Sequence, residues 1–477
     1  KLTVTNQRLV SLLSTFELEY KKRLILNMTA RNDWSSTLPV QNRSFFYPSV
    51  GLTYIFGDLD IFKDSPLSFG KIRAIYSQTG KDARPYRIAS RLVPQTTTGG
   101  GFAYDFFGAN PNLKPESTEG YEIGTELKVL QNRIGIDFSY YSNTRKDQIV
   151  AQRLSYGTGF IFGLLNGGSF NTKGAELSLL LRPVQTDKFS WDFITNFSRF
   201  RTRVISLPAD QPEFYNSDTW LYSNARASAF VSVEKLQELN QGIFLSGENR
   251  GAGSAMAIGG YDALRNKNGD VLISPSNGLP IVNARFLPIG DRTPDFVLGF
   301  VNSLNYKNFG VNFTIDIRKG FDVFNGTERF LFLQGLSSKA IDRTKPFVFN
   351  GVLRDGNENS DNPTINSIQI TPQTRSDFFT AGFAESFFVE KDINLMRLQD
   401  LTFSYALSPT TIDKLKAFKN LSIFVTGSNL WLLTYYSGAD PMVNGNSAAT
   451  TGAGAGGFDF GTLASPRSYS FGLRAQF

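Results

Sequence analysis

Tyr469-Ser470-Phe471-Gly472-Leu473-Arg474-Ala475-Gln476-Phe477 places an apolar side chain at every odd position and a small or polar one at every even position. Successive side chains of a strand point to opposite faces, so this stretch reads as a strand with one apolar and one polar face. The same period recurs far upstream. Phe309, Val311, Phe313, Ile315 and Ile317 alternate with Gly310, Asn312, Thr314, Asp316 and Arg318. Ile134, Ile136, Phe138 and Tyr140 alternate with Gly135, Asp137, Ser139 and Tyr141, and Leu24, Leu26, Met28 and Ala30 with Ile25, Asn27, Thr29 and Arg31. In a soluble sandwich the apolar faces of two such sheets meet; in a membrane barrel the apolar face meets lipid and the polar face lines a lumen. Alternation alone does not separate the two.

Connection lengths do. Short links, Tyr20-Lys21-Lys22-Arg23, Leu130-Gln131-Asn132 and Tyr306-Lys307-Asn308, alternate with long ones at Gly80–Ser117, Lys146–Asn171, Arg203–Asn224, Gly320–Lys391 and Tyr435–Pro466. Short turns on one rim and long loops on the other are the asymmetry of an outer-membrane barrel, with the long loops extracellular and the C-terminus periplasmic. The pattern predicts roughly 15 strands of the ~9–11 residues that cross a bilayer at a tilt. They begin near Arg8, Leu24, Tyr47, Phe69, Thr118, Arg133, Thr172, Phe189, Ala225, Met256, Thr293, Asn308, Ile393, Leu421 and Arg467.

Composition agrees. Phe contributes 43 and Tyr 18 of 477 residues, types favoured in strands and at membrane interfaces. No apolar run reaches the ~20 residues of a membrane helix. Cys and His are absent, which removes disulfides, thiolate or imidazole metal sites and His-dependent triads; no carboxylate, Lys or Tyr constellation suggests an enzyme. The net charge of +7 is spread along the chain without a clustered basic face of the kind nucleic acid requires. Lys1-Leu2-Thr3 is no basic-apolar leader, so an outer-membrane protein with this sequence would have shed one.

Two signals point to a family. The terminal alternation ending in Phe477 looks like the signal read by the barrel-assembly machinery. In Asn110-Pro111-Asn112-Leu113-Lys114-Pro115-Glu116 the prolines hold an extended approach, and the strand Tyr121-Glu122-Ile123-Gly124 follows. This resembles the strand approach of TonB-dependent transporter barrels. The runs at Arg31–Pro39, Tyr47–Gly51, Gly70–Ala74, Phe170–Leu177, Arg397–Tyr405, Gly427–Leu430 and Tyr436–Pro441 resemble, in order, segments of the SusC/RagA group.

The resemblance implies an all-β, antiparallel transmembrane β-barrel, here partial: roughly 15 of about 22 strands, with the plug domain not in this sequence. Residues 1–477 would form one barrel domain, its C-terminal portion, with no separate second domain. It also implies TonB-dependent import of a nutrient oligomer, glycan or peptide. The partners would be a SusD-like lid lipoprotein, TonB with its inner-membrane energising complex acting through the missing N-terminal region, and outer-membrane lipid and lipopolysaccharide. A siderophore or vitamin receptor of the same fold, and a docking barrel of a larger assembly, are the alternatives. No cofactor is implied.

Substrate contacts are expected from loop aromatics that can stack on sugar faces or peptide side chains: Tyr86, Phe102, Tyr104, Phe106 and Phe107, then Trp220 and Tyr222, then Tyr435 and Tyr436. Asp355, Asn357, Asn359 and Asp361 place oxygens at every second residue, a spacing suited to a structural Ca²⁺, although the EF-hand glycine and distal Glu are missing.

Overall fold

The computed structural model describes the chain except residues 1–4, 58, 95–98, 209–210, 216–223, 240–249, 339–341, 382, 416, 443–455 and 477. Its body is one sheet of fifteen strands among the described residues: thirteen form an antiparallel wall, and two short segments off the main path pair with it in parallel. In chain order these are β1 Leu9–Tyr20, β2 Leu24–Ser35, β3 Ser44–Ile55, β4 Leu67–Lys81, β5 Glu116–Val129, β6 Ile134–Arg153, β7 Phe162–Gln185, β8 Phe189–Ser206, β9 Phe296–Tyr306, β10 Phe309–Asn325, β11 Val389–Ala406, β12 Asn420–Thr434 and β13 Ser468–Gln476. Each pairs with its sequence neighbours, and among the described residues β1 and β13 do not pair with each other. The wall is a partial barrel.

Register shows which face is which, because directly opposed residues share a face. Phe309 lies opposite Tyr405 and Val311 opposite Phe403. Tyr405 and Phe403 face Ile423 and Val425, which face Leu473 and Phe471. This apolar band continues to the far edge, where Phe16, Leu18 and Tyr20 face Met28, Leu26 and Leu24. Phe309 is 59% and Phe471 79% exposed. In a two-sheet sandwich these rings would be covered; here lipid must cover them.

The connections alternate as the sequence indicates. Residues 21–23, 130–133, 186–188 and 307–308 turn tightly at one rim, and 82–115, 207–295, 326–388 and 435–467 span the other. Leu130, Gln131 and Asn132 all have positive φ (54°, 59° and 65°), which twists the turn to match its flanking strands.

Three expectations are corrected. The wall has thirteen strands, not roughly 15. The segments near Ala225 and Met256 are strands, Arg226–Phe230 and Ala257–Gly260, but they belong to a four-stranded sheet inside the 207–295 connection, with Glu213–Tyr215 and Leu287–Asp291. Both are buried along their whole length, as in a packed cap rather than a wall with a lipid face. Finally, 146–171 is no loop: β6 and β7 continue as a hairpin, Val150 opposite Leu165 and Ala151 opposite Leu164. Register shifts around Gly168 break the period there, which hid the strand from the alternation.

The buried apolar clusters sit towards the long-loop rim, in the cap and at the upper ends of the strands. Ala227, Ile258, Ile289, Phe324, Phe332 and Phe458 pack together where the cap meets the upper ends of β10 and β11.

Candidate functional site at the long-loop rim

The inner face of the wall is polar and cross-braced. Arg73 on β4 reaches Glu122 on β5 at 3.1 Å and Asp137 on β6 at 3.2 Å. Lys71 pairs with Glu126 at 2.7 Å. Gly124 makes room for this fork, since a Cβ there would stand 2.5 Å from the Arg73 guanidinium carbon.

Above these braces opens a cavity of about 980 Å³, at the upper end of the range for ligand pockets. Lys81, Arg145, Arg292 and Arg318 line it, with Phe170, Phe200, Phe214 and Phe321. Strand register places most of them. Arg145 lies opposite Phe170, and Phe170 meets Phe214 edge-on at 5.5 Å. Lys81 is 3.3 Å from Glu116 and Arg318 is 3.1 Å from Asp316. Arg145 is exposed to the cavity with no ion-pair partner among the described residues. Arg292 is buried, donates to the Gly456 carbonyl at 2.7 Å and lies 5.6 Å from the Phe458 ring centre. Burial pushes its pKa down to about 10, so it remains a cation at neutral pH. Thus the vestibule offers aromatic faces and fixed positive charge, suited to binding and orienting a polar oligomer rather than to covalent chemistry.

The sequence-predicted aromatics stand elsewhere on the same rim; among the described residues none lines this cavity. Phe102 is 71% exposed and Tyr104 and Phe106 are also exposed, with Tyr104 packed on Phe160 at 5.0 Å. The Tyr86 hydroxyl accepts from the Asn6 amide at 3.1 Å. Phe107 is half-buried under Arg87, 4.3 Å from its ring centre. Tyr435 is 88% exposed. Tyr436 corrects the expectation for its position: it is 5% exposed, packs with Phe321, Val323 and Leu395, and donates to Asp459 at 2.8 Å. Burial, then the Asp459 charge, raises its pKa. It holds the loop rather than a ligand. Trp220 and Tyr222 lie outside the described residues.

In the acidic turn, Asp355 Oδ1 accepts from the Asn357 amide at 2.9 Å and Asn359 Oδ1 from the Lys267 amide at 2.8 Å. Lys267 Nζ stands 3.9 Å from Asp361. Two of the four oxygens expected to hold Ca²⁺ are thus engaged by backbone amides, and the positive charge nearest a third is an ammonium.

Sequence reasoning missed the inward residues at the strand tops. Their signal was the alternation itself, continued past the apolar band: Phe200 and Thr202 lie on the inner face of β8 between Arg199, Arg201 and Arg203.

Comparison with known proteins agrees with this geometry. The family described as "TonB dependent receptor-like, beta-barrel" matches residues 3–235. TonB-dependent receptor P3 of Formosa agariphila is 28% identical, over 98% of this chain and 45% of that protein. TonB-dependent receptor SusC of Bacteroides thetaiotaomicron is 22% identical, over 92% of the chain and 42% of that protein. The RagAB peptide importer in its closed-closed state shares the fold with a TM-score of 0.70 at 16% identity, over 98% of this chain and 48% of that one. The chain spans about half the length of these relatives. They are receptors and transporters, not enzymes. In its motifs, its wall and these matches, the chain is similar to the TonB-dependent receptor β-barrels, and among them to the SusC/RagA type.

Proposed function

We propose that this barrel takes part in TonB-dependent import of a nutrient oligomer, a glycan or a peptide, delivered by a SusD-like surface lipoprotein that closes over the long-loop rim. The observation that carries the reading is the vestibule of about 980 Å³ above a polar, cross-braced lumen. A wide cavity lined by aromatic rings and cations, under a rim of exposed aromatics, suits capture of a hydrated oligomer. RagAB, described as a peptide importer, and SusC, described as a TonB-dependent receptor, support the reading. In this reading the long-loop rim is extracellular and the tight turns periplasmic, and residues 1–477 act as one barrel portion without a second domain. Phe102, Tyr104, Phe106 and Tyr435, with Tyr86, form the outer contact ring, and Trp220 and Tyr222 are assigned to it on ring type alone; no cofactor enters.

The test is growth of a strain lacking the gene on single carbon sources. Loss on one oligomer class, with growth on its monomers intact and a surface lipoprotein co-purifying with the barrel, is the expected result. Unchanged growth on every oligomer would favour a docking barrel, and a defect confined to iron or vitamin limitation would favour a receptor for those ligands. Arg145→Ala with Phe200→Ala, both in the vestibule, should weaken binding of the imported oligomer about 10-fold or more, as loss of one aromatic face and one charge implies. Calorimetry on the purified barrel measures it.

A further inference from the structure

The outward side chains of β8 change character at one height. Phe189, Trp191, Phe193, Thr195 and Phe197 share a face with Tyr306, Leu304, Asn302, Phe300 and Leu298 of β9. Nine residues at ~3.3 Å each, tilted, cover about the apolar band of an outer-membrane wall. The next three outward positions are Arg199, Arg201 and Arg203, opposite Ala175, Lys173 and Asn171 of β7. On β10 the outward run ends at Ile317 and the next outward residue is Lys319, opposite Phe296. Five cations therefore meet on the lipid-facing side, just above the band, towards the long-loop rim.

Neutralisation is incomplete. Arg201 is bound by Asp295 at 2.5 Å, and Arg203 donates to the Ala252 carbonyl at 3.4 Å. Lys173, Arg199 and Lys319 are exposed and have no ion-pair partner among the described residues. Lys173 lies directly opposite Arg201, a like-charge cross-strand pair in which Arg201 is answered by Asp295 and Lys173 has no ion-pair partner among the described residues. The patch is local. At the same height on β5 and β6, outward Glu119 and Lys146 neutralise each other at 2.6 Å, and on β1 the outward residues are Val10 and Leu12.

We propose that this patch binds the phosphorylated headgroup of a membrane lipid. Lys173, Arg199 and Lys319 would hold the phosphates, while the acyl chains lie on Leu177, Phe197, Phe296 and Leu298 directly below. The position selects a lipid over a soluble anion: a ligand here has cations at one end and bare apolar wall at the other, and only an amphiphile uses both. Taking the lipid from the outer leaflet, where the anionic lipid is a phosphorylated glycolipid, rests on the extracellular placement of the long loops; the cation–phosphate contact does not, nor does it depend on what the barrel imports.

The experiment uses the full-length barrel in non-ionic detergent, titrated by native mass spectrometry with diphosphoryl lipid A, its dephosphorylated form and inorganic pyrophosphate. Lys173→Gln, Arg199→Gln and Lys319→Gln are combined in one variant, and Lys173→Arg, Arg199→Lys and Lys319→Arg in a second. Wild type and the charge-keeping variant should bind diphosphoryl lipid A, and the neutral variant about 100-fold more weakly, for three surface charges lost. The dephosphorylated lipid should bind as weakly as the neutral variant binds the intact one, and pyrophosphate should not compete. Equal binding by the neutral variant overturns the proposal. So does equal binding of the dephosphorylated lipid, which would reveal only an apolar wall, and so does full competition by pyrophosphate, which would reveal a soluble-anion site. Unchanged thermal stability of the neutral variant verifies that binding, not folding, was altered.

Discussion

Phe471→Arg is expected to deplete the protein from the outer membrane, whereas Gln476→Arg leaves its level near wild type. The two positions lie on one strand and differ in face. Phe471 is opposite Val425, on the side shared by Leu473, Ile423 and Tyr405. It is 79% exposed. Gln476 is opposite Asn420 at the tight-turn rim, on the side shared by Arg474 and Ser422. A cation on the lipid face costs about 2–4 kcal/mol at the midplane, while a lumen position meets water. About 3 kcal/mol is more than 100-fold in an equilibrium, enough to divert a barrel from insertion to degradation. Immunoblots of outer-membrane fractions, with the heat-dependent mobility shift of folded barrels, give the readout. Equal levels of the two variants would show that the register of β13 is wrong.

Lipid-facing strands are legible in sequence because their two faces meet different solvents along their whole length. That is why thirteen of the predicted strands fall in the wall. Arg226-Ala227-Ser228-Ala229-Phe230 also alternates, but it is buried on both faces, and a five-residue alternation carries no mark of what covers it. The functional rim was less legible for a similar reason. Loop position and ring type picked out Phe102 and Tyr435, which are exposed, but also Tyr436, whose neighbouring position turns inward onto Phe321 and Asp459. The vestibule is built from inward residues of several strands, Arg145, Phe170, Phe200 and Arg318, that approach one another only once the sheet curves. No spacing along the chain encodes that meeting. The outward cations of β8 were visible as Arg199-Phe200-Arg201-Thr202-Arg203, but only register shows that Lys173 and Lys319 join them.

Asp322→Ala should loosen the cap while leaving the wall intact. Asp322 lies beyond the apolar band near the upper end of β10 and is fully buried. One carboxylate oxygen accepts from the Asp291 amide at 2.8 Å and the other from the Asp392 amide at 3.1 Å. Arg250, which also reaches Asp392 and the Gly320 carbonyl, places its guanidinium 3.3 Å away. A single side chain thus ties the 207–295 connection to β10 and β11. The alanine variant leaves the Asp291 and Asp392 amides without this acceptor, each costing about 1–3 kcal/mol, and removes the Asp322 contact to Arg250. Arg250 keeps its Asp392 and Gly320 partners, so the loss falls on the junction rather than on an orphaned cation. The wall does not depend on this knot, since β10 and β11 are joined by their own ladder from Phe309–Tyr405 to Phe324–Val389. The expected result is therefore split: near-normal outer-membrane levels, but cleavage of the 207–295 connection by added protease accelerated about 100-fold or more, as local opening becomes easier by that free energy. Asp322→Asn, which keeps one acceptor oxygen, should fall between. Because the cap supplies Phe214, Met256 and Arg292 to the vestibule, oligomer binding should fall together with protease resistance. Unchanged resistance in the alanine variant would mean that the apolar cluster of Ala227, Ile258, Phe324 and Phe458 holds the cap without this carboxylate.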